Sequence, residues 1–320
     1  MFVMALKNGE RKMNQFVPKL FDCMKSYTKE QFVKDVISGI IVAIIALPLS
    51  IALALASGVG PEQGIYTAIF AGFVISFLGG SNVQIAGPTA AFATIVAGIV
   101  ARNGMSGLAA ATIMAGILLI IMGFLKLGNL IRFIPYTITT GFTFGIAVTI
   151  LVGQIKDFLG LTFTNSPIDT VDKVKECINC IGTFNYQALI VGVVALAILI
   201  IFSKITEKIP PSLIAVIVTI VMVKMLKMDV KTIGDLYTIS NKLPSVSLPS
   251  INFTMIRELF PDALTIAVLA GIESLLSCVV ADGMINGKHR SDMELVAQGA
   301  GNIASALFGG IPATGAIART

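Results

Sequence analysis

The chain has 320 residues, of which 55% are hydrophobic and only 13% are charged, and its mean hydropathy is +0.89. Because a soluble domain carries about twice this charged fraction, the composition excludes a soluble enzyme, a disordered chain and an ordinary nucleic-acid-binding domain. The net charge of +5 does not change this conclusion, since the basic residues are dispersed in loops and no nucleic-acid partner is expected. The chain is therefore predicted to be an integral membrane protein surrounded by the lipid bilayer.

Residues 1–32 are polar and basic, and we expect them to form a cytoplasmic amino-terminal arm. A cleaved signal peptide would place its apolar run directly after a short basic start and before a cleavage site. Here the first long apolar run begins near Val36 and continues without such a site. The sequence therefore predicts an uncleaved first membrane helix within a transmembrane domain at 33–320.

A helix that crosses the bilayer needs about 20 apolar residues. Eight segments meet this requirement: 33–57, 64–79, 107–126, 134–155, 185–203, 211–226, 261–284 and 294–309. Two more, at 88–100 and from 309 onward, are shorter or interrupted, which gives about ten segments in an all-α, multi-pass protein. Basic residues in several short loops favour a cytoplasmic amino terminus in the cell membrane, although the basic 227–260 loop would then lie outside.

Both interrupted segments combine a proline, a threonine and small residues, the first over 86–92 and the second over 311–316. Irregular backbone at membrane depth is costly unless it lines a cavity. Two exposed helix amino termini would direct amides and positive dipole ends at an anion. Paired interruptions of this kind are the sequence feature that best indicates the midplane site of a secondary transporter. The alternative is a pair of kinks buried for packing.

Glu273 is the single acidic or basic residue of the apolar run 264–280. A carboxylate at the bilayer centre costs at least about 2.5 kcal/mol, so such a residue is a functional candidate. It can be protonated or can bind a cation, and Ser277, one helical turn later, can supply a second ligand. The alternative is a neutral glutamic acid that is hydrogen-bonded to a neighbouring helix.

Three further features concern charge and catalysis. Arg319 follows Pro312 by seven residues, and it either adds positive charge to an anion site or faces the cytoplasm. His289 lies in a basic loop and is expected to be solvated. No hydrolase, protease or P-loop motif occurs, and the C-x-x-C at 177–180 has no second pair to complete a zinc site. We therefore expect neither an enzyme nor a cofactor, apart from Na⁺ or H⁺ as a coupling ion.

Seven short motifs occur in order along the chain: ALPLSIA at 46–52, GVGPEQGIYTA at 58–68, GPTAA at 87–91, LGNLIRFIPY at 127–136, IESLLS at 272–277, ADGM at 281–284 and GGIPATG at 309–315. In this combination they resemble the SulP family of sulfate-permease-type anion transporters, whereas each motif alone would be weak evidence. The resemblance extends from about residue 33 to the last residue of the sequence.

The resemblance implies an inverted-repeat transporter fold, in which two seven-helix repeats form a core domain and a gate domain and two half-helices meet at the membrane midplane. The first repeat would cover about 33–226, and the second would begin at about 260–320. The rest of the second repeat and the family's STAS domain are absent from this chain. We therefore expect a fragment of the membrane domain that does not transport alone. A homodimer is one assembly that this fold allows.

The resemblance also assigns roles to individual residues. The anion would lie between the amino termini of the third and tenth helices, in a cavity that the first helix also lines. The corresponding residues are Thr89, Ala90, Ala91, Phe92, Thr314, Gly315 and Ala316, with Arg319 nearby and Leu49 and Leu53 from the first helix. Glu273 corresponds to a carboxylate associated with proton or sodium coupling, and Ser277 to a position that can bind the cation.

The expected function is secondary active transport of a small inorganic or organic anion, with sulfate favoured, coupled to protons or sodium or driven by exchange. Bicarbonate or a C4-dicarboxylate is the second expectation, since helix-terminus amides bind any small oxyanion. A nucleobase carrier of the same architecture, a non-transporting membrane receptor or scaffold, and an uncoupled anion channel stay open as alternatives.

Overall fold

The computed structural model describes residues 16–129, 136–165, 167–205, 210–239, 244–249, 252–317 and 319–320. This part of the chain is mainly α-helical, with one antiparallel pairing of two-residue strands. Backbone contacts divide the chain into two units. Unit one comprises Met1–Val36, Leu49–Ile138 and Ser240–Thr320, and unit two comprises Ile37–Pro48 and Thr139–Ile239.

The amino-terminal part contains the short helix α1 (Lys19–Met24) and the long helix α2 (Lys29–Ala56). Thr28 caps α2: its hydroxyl accepts a hydrogen bond from the Gln31 N–H, and the Gln31 side chain accepts one from the Thr28 N–H. This capping box determines where α2 begins. With 28 residues, α2 is about 42 Å long, which exceeds the thickness of the hydrocarbon core.

The next elements are α3 (Pro61–Leu78), β1 (Ala86–Gly87), a 3₁₀ turn (Ala90–Phe92) and α4 (Ala93–Phe124). Gly104 interrupts α4 with a non-helical conformation, φ 66° and ψ −172°. Glycine adopts such a positive φ without the steric cost that a Cβ would add. The interruption explains why the sequence shows two apolar segments, at 88–100 and 107–126, where the structure has one long broken helix.

The following elements are α5 (Tyr136–Phe158), α6 (Thr170–Asn179), a 3₁₀ turn (Ile181–Thr183), α7 (Tyr186–Ile205), α8 (Pro211–Met225) and α9 (Ile233–Leu236). Apart from the first turn of α5, they belong to unit two. The sequence predicts α5, α7 and α8 to within a few residues. It does not predict α6 and α9, because these short helices lie in polar loops and contain no long apolar run.

The remaining elements of unit one are α10 (Phe253–Ile285), α11 (Ser291–Leu307) and β2 (Thr314–Gly315). The second half-helix was expected to start near Ala313. The structure instead extends Thr314 and Gly315 in β2, and the first helical hydrogen bond runs from the Thr320 N–H to the Ala316 oxygen at 2.9 Å. The half-helix starts later because the backbone of β2 is paired with β1.

The core of unit one lies where α4, α10 and α11 pack together, and it includes Val96, Leu119 and Ile266. The approach of α4 to α11 is closest at two glycines, since a Cβ built on Gly116 would lie 2.6 Å from the Gly299 carbonyl oxygen. Small residues let membrane helices pack at this distance. The packing therefore holds α11 rigidly beside the irregular segments that follow β1 and precede β2.

Four described helical stretches are long and apolar enough to cross a membrane: Lys29–Ala56, Ala90–Phe124, Tyr186–Ile205 and Phe253–Ile285. α8 is a shorter apolar helix. Many of the large apolar side chains of α7, among them Ile190, Val193 and Ile201, are exposed. Such a surface suits contact with lipid and is unfavourable in water.

Candidate functional site

The two interrupted segments meet in unit one as a short antiparallel pair. Ala86 of β1 is opposite Gly315 of β2, and Gly87 is opposite Thr314. The Ala316 N–H extends the pairing by donating to the Ile85 oxygen at 2.8 Å. Because each segment satisfies the backbone groups of the other, this irregular backbone can be buried at membrane depth. The pairing brings the residues around Thr89 and those around Thr314 into one site.

Ser274 of α10 links that helix to β2. Its hydroxyl accepts a hydrogen bond from the Gly315 N–H at 3.0 Å and lies 2.6 Å from the Thr314 hydroxyl, which itself donates to the Ala270 oxygen at 3.0 Å. The Gln84 amide donates to the Ser274 backbone oxygen at 3.3 Å. A Cβ on Gly315 would lie 3.1 Å from the Ser274 Cα and would overlap the Gln84 amide. The position therefore requires glycine.

Glu273 is buried beside the first segment, with 6% of its surface exposed. Its Oε2 accepts a hydrogen bond from the Thr89 hydroxyl at 3.0 Å. Ser277, one turn further along α10, is also buried, and its hydroxyl has no hydrogen-bond partner among the described residues. The structure thus supplies a carboxyl group and a free hydroxyl on one face of α10, which are oxygen ligands suited to a proton or a hard cation.

Arg319 brings a positive charge to the same place. Its Nη2 donates to the Pro88 oxygen at 2.8 Å, whereas its buried Nη1 has no acceptor within the part of the chain that the structure describes. Arg319 and Glu273 are close enough for their charges to interact. A guanidinium nitrogen without an acceptor in a buried site is unfavourable. The geometry therefore leaves a donor that a small anion could satisfy.

A polar face of α11 holds both segments in place. The Asn302 side-chain amide donates to the Ala313 oxygen and accepts from the Ala313 N–H, both at 2.8 Å. Ser305 donates to the Ile311 oxygen at 2.7 Å. Two turns before Asn302, Glu294 accepts a hydrogen bond from the Gly80 N–H at 2.9 Å. α11 thus anchors the segment before β1 and the segment before β2 through side chains at helical spacing.

Thr67 of α3 completes this support. Its hydroxyl accepts a hydrogen bond from the Ile311 N–H at 2.7 Å and donates to the Gln63 oxygen at the same distance. The sequence analysis did not identify Thr67, Gln84, Ser274, Asn302 or Ser305. The signal that could have identified Asn302 is the spacing of Glu294, Gln298 and Asn302 at successive turns of an apolar segment, since buried polar residues in membrane helices are seldom incidental.

Residues 32–320 match the sequence model of the sulfate permease family. The chain belongs to this family. It is 45% identical over 298 residues to the Bacillus subtilis protein named Putative sulfate transporter YvdB, which covers 92% of this chain and 56% of that protein. It is 33% identical over 297 residues to the bicarbonate transporter BicA of Picosynechococcus, covering 89% of this chain and 52% of BicA. The chain spans about half the length of the curated relatives it matches.

Solved structures show the same fold for this member of the sulfate permease family. The transmembrane domain of a cyanobacterial bicarbonate transporter BicA superposes with a TM-score of 0.81 at 29% identity, covering 92% of this chain and 77% of that chain. SLC26A9 superposes with a TM-score of 0.80 at 19% identity, covering 98% and 53%. The expected inverted-repeat transporter fold is therefore confirmed.

The remaining residues expected at the site lie at its edge or in the core. Ala90 and Ala91 are half-buried in the 3₁₀ turn, which the Phe92 N–H closes by donating to the Thr89 oxygen at 3.4 Å. The Phe92 side chain is fully buried and packs in the core of unit one, so it offers no surface to a ligand. Near the end of α2, Leu53 is half-buried and Leu49 is exposed.

The expectation that His289 is solvated is wrong. Its ring Nδ1 lies 2.6 Å from Asp282 Oδ2, its Nε2 lies 2.9 Å from the Ser291 hydroxyl, and only 9% of its side chain is exposed. The loop between α10 and α11 folds back on the end of α10, which the sequence pattern does not reveal. These contacts cap the start of α11 at one end of unit one.

Proposed function

We propose that this chain carries the anion site of a secondary active transporter, with sulfate as the favoured substrate. The observation that supports this proposal is the buried guanidinium of Arg319, which contacts the Pro88 oxygen with one nitrogen and has a second nitrogen without an acceptor in the described chain. It lies where β1 and β2 pair. A tetrahedral or planar oxyanion is the ligand that such a guanidinium binds best.

In this proposal the anion lies between the segments at Thr89–Phe92 and Thr314–Ala316. The backbone amides of the short turn that begins at Ala90 and those that follow β2 would face the anion together with Arg319. Helix amino termini bind anions through exactly such amides and through their dipoles. Leu49 and Leu53 of α2 would contribute the apolar wall of the cavity. Phe92 would contribute only backbone.

The charges at the site favour coupled transport. Arg319 and Glu273 together carry no net charge when both are ionised, so a bound sulfate would leave the site strongly negative inside the membrane. A proton on Glu273, or a sodium ion between Glu273 and Ser277, would offset that charge. Since an unbalanced charge at the bilayer centre costs at least about 2.5 kcal/mol, binding of the anion and of the cation should favour each other.

The relatives support sulfate first and bicarbonate second. YvdB, which is named for sulfate, is 45% identical to this chain, whereas BicA, which is named for bicarbonate, is 33% identical. Amides and one guanidinium do not by themselves distinguish these oxyanions. Bicarbonate is therefore the second candidate, and a C4-dicarboxylate, a nucleobase carrier, an exchanger, a channel or a receptor without flux would each give a different result in the experiment below.

We further propose that the protein lies in the cell membrane with residues 1–32 in the cytoplasm and that it acts as a transporter and not as an enzyme. The transport domain would begin at residue 33, with the first repeat ending near 226 and the second starting near 260. A homodimer would be its assembly. Of these statements, the cytoplasmic arm is tested most directly, by protease access to residues 1–32 in vesicles of known orientation.

The test of the transport proposal is labelled-sulfate uptake into liposomes that contain the protein from its complete reading frame, under imposed proton or sodium gradients. We expect uptake that depends on one gradient, and we expect Glu273→Gln to abolish that dependence. Arg319→Gln should reduce uptake at low sulfate about tenfold or more, since a hydrogen bond to a charged group contributes about 1.5–3 kcal/mol. Glu30→Gln and Arg102→Gln, two exposed positions, are the matched controls.

Three results would contradict the proposal in separable ways. Uptake of bicarbonate, a dicarboxylate or uracil in place of sulfate would change the substrate and keep the site. Flux that ignores both gradients and Glu273→Gln would remove the coupling role and indicate a channel. Saturable sulfate binding without flux in the folded, inserted protein would indicate a receptor.

A further inference from the structure

Helix α6 of unit two carries a stripe of exposed apolar side chains. The exposed fractions are 67% for Val171, 39% for Val174 and 67% for Ile178, and the stripe continues to Ile181 in the following 3₁₀ turn, with 56% exposed. Spacings of three and four residues place these side chains on one face of a helix. A water-soluble loop would not be expected to present such a face, because it keeps apolar surface in contact with water.

The opposite face of α6 is polar and packs against its own loop. Glu176 Oε1 accepts hydrogen bonds from the backbone N–H groups of Thr164 and Asn165 at 3.1 and 3.0 Å. The amide of Asn165 is the largest of the influences that hold the pKa of this carboxyl below its usual range. Cys177 and Cys180 are buried on the same side. α6 is therefore amphipathic with its apolar face directed away from the loop to which it is anchored.

The neighbouring helices determine the level of α6 relative to the bilayer. The loop that contains α6 connects the end of α5 to the start of α7, and the Asn185 N–H donates to the Leu159 oxygen at 3.1 Å across the two helix ends. α7 has 20 residues and is about 30 Å long, the thickness of the hydrocarbon core. Tyr186, its first residue, is exposed and is of the type that lies at the membrane–water boundary.

We propose that α6 lies in the membrane interface and inserts Val171, Val174, Ile178 and Ile181 at the boundary between the headgroups and the acyl chains. This arrangement gives the exposed stripe an apolar environment that is continuous with the lipid-facing side of α7, where Ile190 and Val193 are exposed. It also leaves the anchoring face of α6 unchanged. Helices with such a face lie in the plane of the interface and do not cross the bilayer.

The charges of α6 indicate which lipid it contacts. The helix contains two lysines, Lys173 and Lys175, and two carboxylates, Asp172 and Glu176, so it has no net charge. The ammonium group of Lys175 pairs with Asp172 at 2.8 Å. Attraction to anionic headgroups should therefore add little, and zwitterionic phosphatidylcholine should be sufficient. The proposal concerns the apolar face and does not depend on which anion is transported.

The experiment places an environment-sensitive NBD fluorophore on single cysteines in the full chain, reconstituted in phosphatidylcholine vesicles. Val171→Cys and Val174→Cys report on the stripe, and the adjacent Asp172→Cys and Lys175→Cys are matched controls on the polar side. Cys23→Ser removes the exposed native thiol from every variant. Protein with that substitution alone measures any labelling of the buried cysteines.

We expect NBD at 171 and 174 to emit at shorter wavelength than at 172 and 175, and to be quenched several-fold more strongly by lipids with a nitroxide on the acyl chain. Replacing part of the phosphatidylcholine with phosphatidylglycerol should leave this contrast unchanged. Equal weak quenching at all four positions would overturn the proposal, because the stripe would then face water. A blue-shifted signal at 171 and 174 that lipid nitroxides do not quench would also overturn it, because protein would then cover the stripe.

Discussion

At the scale of single residues, Gly87 determines how closely the backbone approaches the guanidinium group at the site. A Cβ on Gly87 would lie 3.0 Å from Arg319 Nη2 and 3.1 Å from Nη1. Gly87→Ala should therefore move the guanidinium by a few tenths of an ångström and lengthen its hydrogen bond to the Pro88 oxygen. We expect sulfate affinity to fall several-fold while the protein stays folded, as measured by binding calorimetry and thermal unfolding in detergent.

Gly98→Ala is the matched control for this substitution. Gly98 lies in α4, and a Cβ there would meet no heavy atom within 4 Å. Replacing glycine with alanine inside a helix stabilises it by about 0.5–1 kcal/mol, so this variant should bind sulfate normally and unfold at the same or a higher temperature. Unchanged affinity in Gly87→Ala would show that the anion does not depend on the position of Arg319.

At the scale of secondary-structure elements, α11 acts as the support of the site, and Asn302 is the residue that tests this role. Asn302→Ala would leave both the N–H and the oxygen of Ala313 without their side-chain partner. A buried unpaired group costs about 1–3 kcal/mol, so the melting temperature should fall by several degrees. Hydrogen exchange should show lost protection at Ala313 in particular, because that amide donates to Asn302.

The control for Asn302→Ala is Asn179→Ala, which changes an exposed asparagine at the end of α6. It should leave the melting temperature within error and the exchange of Ala313 unchanged. If Asn302→Ala lowered stability while Ala313 kept its protection, the damage would be a packing defect within α11, and the support role would be wrong.

The same elements show what the sequence can and cannot predict. Long apolar helices such as α2, α7 and α8 follow from the run of apolar residues alone, because the bilayer requires that length. The approach of the segments near Pro88 and Pro312 was predicted from their paired interruptions, and the structure adds the β1–β2 pairing that no local pattern encodes. Ser274 and Gln84 were missed because their importance lies in contacts across long separations in sequence. α6 was missed because its apolar face becomes visible only once the loop has folded.

At the scale of the whole molecule, the amino-terminal arm is attached to unit one by several contacts. The rings of Phe16 and Phe124 stack with centroids 5.7 Å apart, and the Lys19 N–H donates to the Gly79 oxygen at 2.9 Å. Arg290, between α10 and α11, donates to the Val17 oxygen at 2.6 Å and pairs with Asp22 at 2.5 Å. The arm therefore contacts the same end of unit one at which Glu294 holds Gly80.

This attachment should depend on pH through Asp22. The Arg290 guanidinium holds the pKa of the Asp22 carboxyl below its ordinary value, which is about 3.9 in an unfolded chain. A carboxyl with a lowered pKa stabilises the folded arrangement above the unfolded pKa and loses that contribution as pH falls through the folded pKa. A spin label on Cys23, the exposed cysteine of α1, should thus stay immobile from pH 7 to 5 and become mobile only below the usual range of aspartate. Arg290→Gln should make it mobile at pH 7, whereas Lys288→Gln, an exposed change two residues earlier, should not. An immobile label in Arg290→Gln at pH 7 would show that the stacking of Phe16 on Phe124 holds the arm without the ion pair.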